Sequence, residues 1–461
     1  MNILKLTTLS LALTASTLSV SAQEKNEQSY VHEQSEVADY VWPEDTQVLN
    51  NLKHWQDQKF GVLMHWGLYS KIGCCESWPI CSEDWIRREH FDDYEKDKQW
   101  YWSHKDSFNP VDFNPELWAD VMKKAGMKYM IFTTKHHDGF CMFDSKYTDF
   151  SIAHGPFANN PRKNVAKEVF DAYRKQGFMI GCYFSKPDWH SKWFWNPYYA
   201  TPRRGINYSI KQHPDWWQNY VKFTQNQLSE LTTDYGKLDM LWLDGGWITG
   251  EQIGLDSLLV EARKRNPGLI SVDRTIRGKN ENYQTPEQGI PAKQLNIPWE
   301  SCITLSHAWG YIPGAKFKSP AKVIAILSEI VAKGGCLALG VGPTPEGTIQ
   351  PEVQKILLNI GSWMNRNGEA IYNTVTTPHY NDGKTWFTAS KNKKTLYAVY
   401  AIADGETTPQ TITWTVNKPK GKLVLLNTGK AVKYTTNGDK VTVKIPAGTK
   451  AEPLAFKFEK K

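Results

Sequence analysis

Several short apolar runs in this sequence finish in residues able to bind or transform a polar ligand. Phe60 to Met64 is followed by His65-Trp66-Gly67, and Tyr129 to Thr134 by Lys135-His136-His137-Asp138-Gly139. A third run ends at Tyr183-Phe184-Ser185, a fourth gives Trp242-Leu243-Asp244-Gly245-Gly246-Trp247, and a fifth leads into Asp273-Arg274. Histidine, tyrosine, aspartate and arginine supply directional hydrogen bonds and charge, while tryptophan offers a flat apolar face. Together they suit a neutral, hydroxyl-rich ring such as a sugar. Asp244 is the sharpest candidate. It closes a run that reads as buried, and the two glycines after it let a ring approach the carboxylate. The competing reading is an Asp that caps the next helix. His136 and His137 are neighbours, and neighbours at a strand end point to opposite sides. Hydrogen bonding to hydroxyls is therefore expected of them rather than shared ligation of one ion. Zinc-type ligand spacing is absent, so neither a metal nor a cofactor is expected.

These groups need elements to position them. The runs are continuous rather than alternating in polarity, as in parallel strands buried on both faces. Cys336 to Val341 is a further one. Between the runs lie helical patterns: Trp118, Val121, Met122 and Ala125 before Gly126, and Val165, Val169 and Tyr173 before Gly177. Repeated strand–helix units predict an α/β, TIM-like (β/α) barrel over residues 46–373, with chemistry at the C-terminal strand ends. A doubly wound open sheet is the alternative, disfavoured because no GxGxxG follows the first run. From 374 to 461 short β-rich runs such as Thr395 to Tyr400 and Lys440 to Ile445 alternate with turn residues such as Asn437-Gly438-Asp439. They predict a C-terminal antiparallel β-sandwich.

The first 22 residues read as a secretory leader: Lys5, an apolar stretch from Leu9 to about Val20, then Val20-Ser21-Ala22 as the cleavage signal. Residues 23–45 read as a polar lead-in. No later apolar run is long enough to span a bilayer, so an exported protein, periplasmic or extracellular and without membrane insertion, is expected. The net charge of +7 is spread thinly with no basic block, which disfavours nucleic acid as a partner. The 20 Trp, 21 Tyr and 18 Phe exceed what a core needs and fit sugar-ring contacts. Seven Cys, an odd number, leave at least one free thiol. Whether Cys74 or Cys75 bridges to Cys81 stays open.

The chain resembles glycoside hydrolase family 29, the α-L-fucosidases. The resemblance rests on Phe60-Gly61-Val62-Leu63-Met64-His65-Trp66-Gly67, Lys135-His136-His137-Asp138-Gly139-Phe140, Trp242-Leu243-Asp244-Gly245 and Trp299-Glu300-Ser301-Cys302. The stretch from Lys333-Gly334-Gly335 to Val341-Gly342-Pro343 matches as well, although Cys336 and Gly340 replace asparagines usual in the family. The resemblance implies a retaining exo-α-L-fucosidase acting on fucosylated oligosaccharide or polysaccharide, with Asp244 as nucleophile. It implies His65, His136 and His137 on the fucose hydroxyls, Tyr183 and Trp242 lining the pocket, and Glu76 with Trp78 over the sugar. Trp66 is expected beside them. Arg274 matches a cation near the carboxylates, and Trp309 an aromatic against the fucose methyl. The general acid is Glu287 or Glu300, with Glu287 favoured because residues 274–298 resemble the broad-specificity branch. An α-L-galactosidase, or a non-catalytic lectin on the same fold, are the rival readings.

Overall fold

The computed structural model describes residues 40–460 apart from 87 and 89–92; the leader read in residues 1–22 and most of the lead-in lie outside the described residues. Seven parallel strands form the central sheet: β1 (Phe60–Met64), β2 (Tyr129–Lys135), β3 (Met179–Ser185), β4 (Met240–Asp244), β5 (Ile270–Asp273), β6 (Glu300–Thr304) and β7 (Cys336–Val341). Their order is β5-β4-β3-β2-β1-β7-β6. Every residue of these strands is buried, which is why their apolar runs are continuous. The helices between them turn apolar stripes onto the sheet. Val165–Lys175 buries Val165, Val169, Phe170 and Tyr173, and Pro115–Lys124 buries Trp118 and Met122, its first turn capped by the Asn114 side chain. Gly61 serves close approach, since a Cβ there would lie 2.4 Å from the Tyr129 ring.

Strand β6 was not among the apolar runs read from sequence, because Glu300, Ser301 and Thr304 interrupt its pattern. Tertiary burial overrides that polarity: all five residues are covered. The gap between β5 and β6 is spanned by an irregular segment. Glu281 bridges Val272 in antiparallel sense, and Gln284 and Glu287 bridge Trp299 and Cys302 in parallel sense. Gln288 N donates to Cys302 O at 2.9 Å, and Cys302 N to Pro286 O at 3.2 Å. Pro286 itself has no N–H to give, which helps keep this part of the ring from becoming a regular strand.

Beyond residue 373 the chain forms two antiparallel sheets, one of seven strands and one of three. They share a core in which Trp414 packs on Phe387, Phe456 and Phe458. The helix Pro351–Asn367 joins this unit to the barrel. Trp363 Nε1 donates to Pro453 O at 2.7 Å, and Arg366 pairs with Glu452 at 2.6 Å. All seven cysteines are free thiols, Cys74, Cys75 and Cys81 included. No helix among the described residues is long and apolar enough to cross a membrane.

Candidate active site

The C-terminal ends of the barrel strands open into a cavity of about 670 Å³. Among the predicted site residues, His65, Glu76, Trp78, His136, His137, Tyr183, Trp242, Asp244, Arg274, Glu287 and Trp309 all line it. Two do not. Trp66 faces the helix layer, where Nε1 donates to Thr344 O at 2.9 Å and the ring packs edge-on to Trp118. Adjacent residues leave a strand in opposite directions, and here His65 takes the inward one. Glu300 is the first residue of β6, paired with the first residue of β7, so it lies at the opposite end of the barrel. Its carboxyl is fully buried against Tyr129, Tyr283 and Trp242, and burial pushes its pKa up to about 7. Asp273 also turns away from the mouth, into a buried ion pair with Lys186.

Asp244 closes β4 and is firmly held. Tyr183 OH donates to Oδ2 at 2.6 Å, and Gly245 N and Arg274 Nη1 donate to Oδ1 at 2.8 and 3.2 Å. His137 Nε2 stands 3.8 Å from Oδ2. Burial alone would raise this carboxyl's pKa; the Arg274 charge, His137 and the Tyr183 hydroxyl reverse that and hold it well below the usual range. The left-handed conformation of Gly245 (φ 84°) lets the chain turn away at once, and a Cβ there would meet Pro187 at 2.2 Å. Asp244 is therefore an ionised, desolvated carboxylate facing a cavity rather than a helix cap.

Arg274 joins two carboxylates. Its Nη1 binds Asp244 and its Nη2 binds Glu287, while the guanidinium lies 5.0 Å over the Trp242 ring. Glu287, on the irregular segment, takes a second donor from Trp309 Nε1 at 3.2 Å. Trp309 is fixed in turn by Glu76, whose Oε1 accepts from the backbone N–H groups of Trp309 and Gly310 at 2.9 and 2.8 Å. Burial pushes Glu76 up to about 7 against those donors.

The three histidines form the other side. Burial lowers all three pKa values, His136 to about 4 and His65 and His137 well below the ordinary value. They are neutral at pH 7 and present both donors and acceptors, which suits uncharged hydroxyls. Ser77 Oγ lies 2.5 Å from His136 Nδ1, and Ser185 Oγ contacts His137 Nδ1, so both rings are oriented from behind. The two rings lie just past the end of β2, outside its pleat, and approach to 4.3 Å. The expectation that they diverge is therefore corrected. Ligand atoms of His136, His137 and Asp244 lie within 4.8 Å of one another, near enough for one small ion or for adjacent hydroxyls of a ring.

Sequence reasoning did not single out Ser77, Ser185, Glu83, Trp85, Arg203, Arg204, Gln288 or His307. All but the two serines line the cavity. Their loops lack strand or helix periodicity; the signal in the sequence is the abundance of Lys, Trp and Tyr over residues 186–220, which reads as an insertion shaping the leaving-group side without singling out Arg203 or Arg204.

A barrel mouth that holds two carboxylates on a shared guanidinium, walled by indoles and neutral imidazoles, defines a glycoside hydrolase. The family described as Alpha-L-fucosidase matches residues 27–369, and the chain belongs to that family. It is 29% identical to human plasma alpha-L-fucosidase over 372 residues, 76% of each chain. Among solved structures it is similar to alpha-L-fucosidase isoenzyme 1 from Paenibacillus thiaminolyticus, with TM-score 0.74 and 29% identity, covering 90% of this chain and 100% of that one. It is also similar to a Bacteroides thetaiotaomicron GH29 alpha-L-fucosidase trapped as a covalent intermediate with 2-fluoro-fucosyl fluoride. That match has TM-score 0.72 and 26% identity, and covers 91% and 98% of the two chains.

Proposed function

We propose that the protein is an exported, retaining exo-α-L-fucosidase that removes terminal α-L-fucosyl residues by double displacement. The observation that carries the reading is the pair Asp244 and Glu287 held across Arg274 at the barrel mouth. Asp244 Oδ attacks the anomeric carbon. Glu287 protonates the departing oxygen, and the glycosyl ester forms on Asp244. Water then attacks the anomeric carbon, with Glu287 taking its proton and Asp244 released as carboxylate. Arg274 serves both steps. Before attack its charge is shared between the carboxyls; once Asp244 is esterified that carboxyl is neutral, and the guanidinium is left to Glu287, which has just lost its proton.

The neutral imidazoles of His65, His136 and His137 hold the ring hydroxyls. A sugar lacking a matching hydroxyl leaves these buried groups unpaired, which discriminates against it. The relative trapped as a covalent intermediate supports the retaining course. Glu287 is the general acid on this reading, because Glu300 lies at the far end of the barrel. The sequence of residues 1–22 supports export, and amino-terminal sequencing of protein recovered outside the cytoplasm should start at Gln23.

The deciding experiment is hydrolysis of an aryl α-L-fucoside followed by NMR from the first turnovers. Release of α-fucose first, with no turnover by Asp244→Ala, is expected. First-formed β-fucose would overturn retention, and binding without turnover would make the protein a lectin.

A further inference from the structure

The cavity extends past the groups around Asp244. Its outer wall comes from two loops that the proposed mechanism does not use, one carrying Glu83 and Trp85, the other Arg203 to Gly205. Ser82 N donates to Pro202 O at 3.1 Å and ties the loops together. The indole N–H groups of Trp189 and Trp195 hold the carbonyls of Arg204 and Gly205 at 3.2 and 2.9 Å. Those two rings stack with centroids 4.9 Å apart. The loop tip is thus set before any ligand arrives.

Arg204 lies against two aromatic faces, 5.3 Å from the Trp78 ring and 5.5 Å from the Trp247 ring. Glu83 accepts from its Nε at 2.8 Å and fixes its direction. Nη1 and Nη2 have no acceptor among the described residues. The side chain is only 26% exposed, so this is a partly desolvated guanidinium with an open edge, suited to two oxygens of one anion. Among the described residues Arg203 pairs with Asp84, and both are well exposed. Such a pair is worth little, which leaves a second cation free to turn inward.

This wall meets Asp244 on its His137 side. Trp78, under Arg204, is 5.3 Å from His137, and His137 is next to Oδ2 of Asp244, whereas Glu287 is reached through Oδ1 and Arg274. Through Trp78, Arg204 therefore lies on the side of Asp244 where His137 stands. We propose that Arg204, assisted by Arg203, binds an anionic group on the glycan, a sulfate ester or a carboxylate, carried at a ring hydroxyl next to His137. The inference rests on the fucosidase reading and extends the substrate class to acidic, substituted fucosides.

The test uses three aryl α-L-fucosides: unmodified, sulfated on a ring hydroxyl, and carrying a carboxylate as a hemisuccinate ester on the same hydroxyl. The wild type should show kcat/KM about tenfold higher for at least one charged substrate than for the unmodified one, fading as salt rises. Whichever charged substrate wins names the source of the anion. Arg204→Gln should bring the charged-to-unmodified ratio to about one, and Arg203→Ala should lower it part of the way. A wild-type ratio at or below one for both charged substrates overturns the proposal. So does a ratio that neither variant changes. Failure to cleave any of the three fucosides would instead defeat the fucosidase reading.

Discussion

Replacing Arg274 with Met isolates the electrostatics of the site. The guanidinium is 4% exposed in its side chain and pairs with two buried carboxyls. Removing one partner of a buried pair typically costs about 3–5 kcal/mol, because the remaining charge is left uncompensated. With Arg274 gone, the largest of the causes that depress the Asp244 pKa is lost, so that pKa should rise. The sign follows. In the wild type, ionised Asp244 adds stability at pH values above the unfolded value, and this is lost as pH falls through the depressed folded value. In Arg274→Met the carboxyl contributes less stability at neutral pH, so the gap between variant and wild type should narrow on acidification. A protonated Asp244 cannot attack, so the acid limb of kcat/KM should shift upward. At pH 7 the rate should fall about 10²–10³-fold, as when an oriented charge partner is removed. Arg274→Lys should restore the position of the acid limb but not the full rate, because one ammonium cannot span both carboxyls. The assay is a pH series of kcat/KM with an aryl fucoside, alongside denaturant melts at each pH. If Arg274→Met lowers the rate but leaves the acid limb where it was, His137 and Tyr183 rather than Arg274 keep Asp244 ionised.

Glu287→Gln should lower kcat/KM for glycosides with poor leaving groups by about 10²–10⁴-fold and spare kcat/KM, though not kcat, for activated aryl fucosides, because hydrolysis of the ester loses its base; Glu300→Gln should keep both within a few-fold. The reverse pattern in steady-state kinetics would reinstate Glu300 as the acid. Trp309→Phe removes one N–H bond to Glu287 worth about 1.5–3 kcal/mol while keeping a ring beside His65, so kcat/KM should drop roughly 10–100-fold; an unchanged value would show that Arg274 alone positions Glu287. Lys135→Met strips Asp188 of its buried cation and should cost about 3–5 kcal/mol in urea melts, without moving the pH profile.

The groups legible in the sequence were those at the ends of regular strands. Asp244, His65 and Tyr183 could be placed because an apolar run stops where the barrel opens, and burial converts that stop into a position. Trp66 misled for the same reason. Its chemistry matched the mouth, but the alternation of side chains at the strand end turned it outward, and one sequence does not show which of two neighbours faces in. Glu300 misled because β6 went unrecognised, so nothing revealed that it begins a strand rather than ends one. The loop residues were out of reach: Arg204 gains its role from Trp78 and Glu83, far away in sequence.

The segment from Glu281 to Gln288 meets its neighbours at isolated bridges rather than along a full ladder. On the reading above, the nucleophile is bolted to a strand, while the proton donor rides on a seam. Lengthening or shortening the chain around that seam can slide Glu287 relative to Asp244 without shearing any hydrogen-bonded strand pair. Such a barrel can be retuned for a bulkier or poorer leaving group by loop surgery at one place, with the sugar-gripping half left untouched.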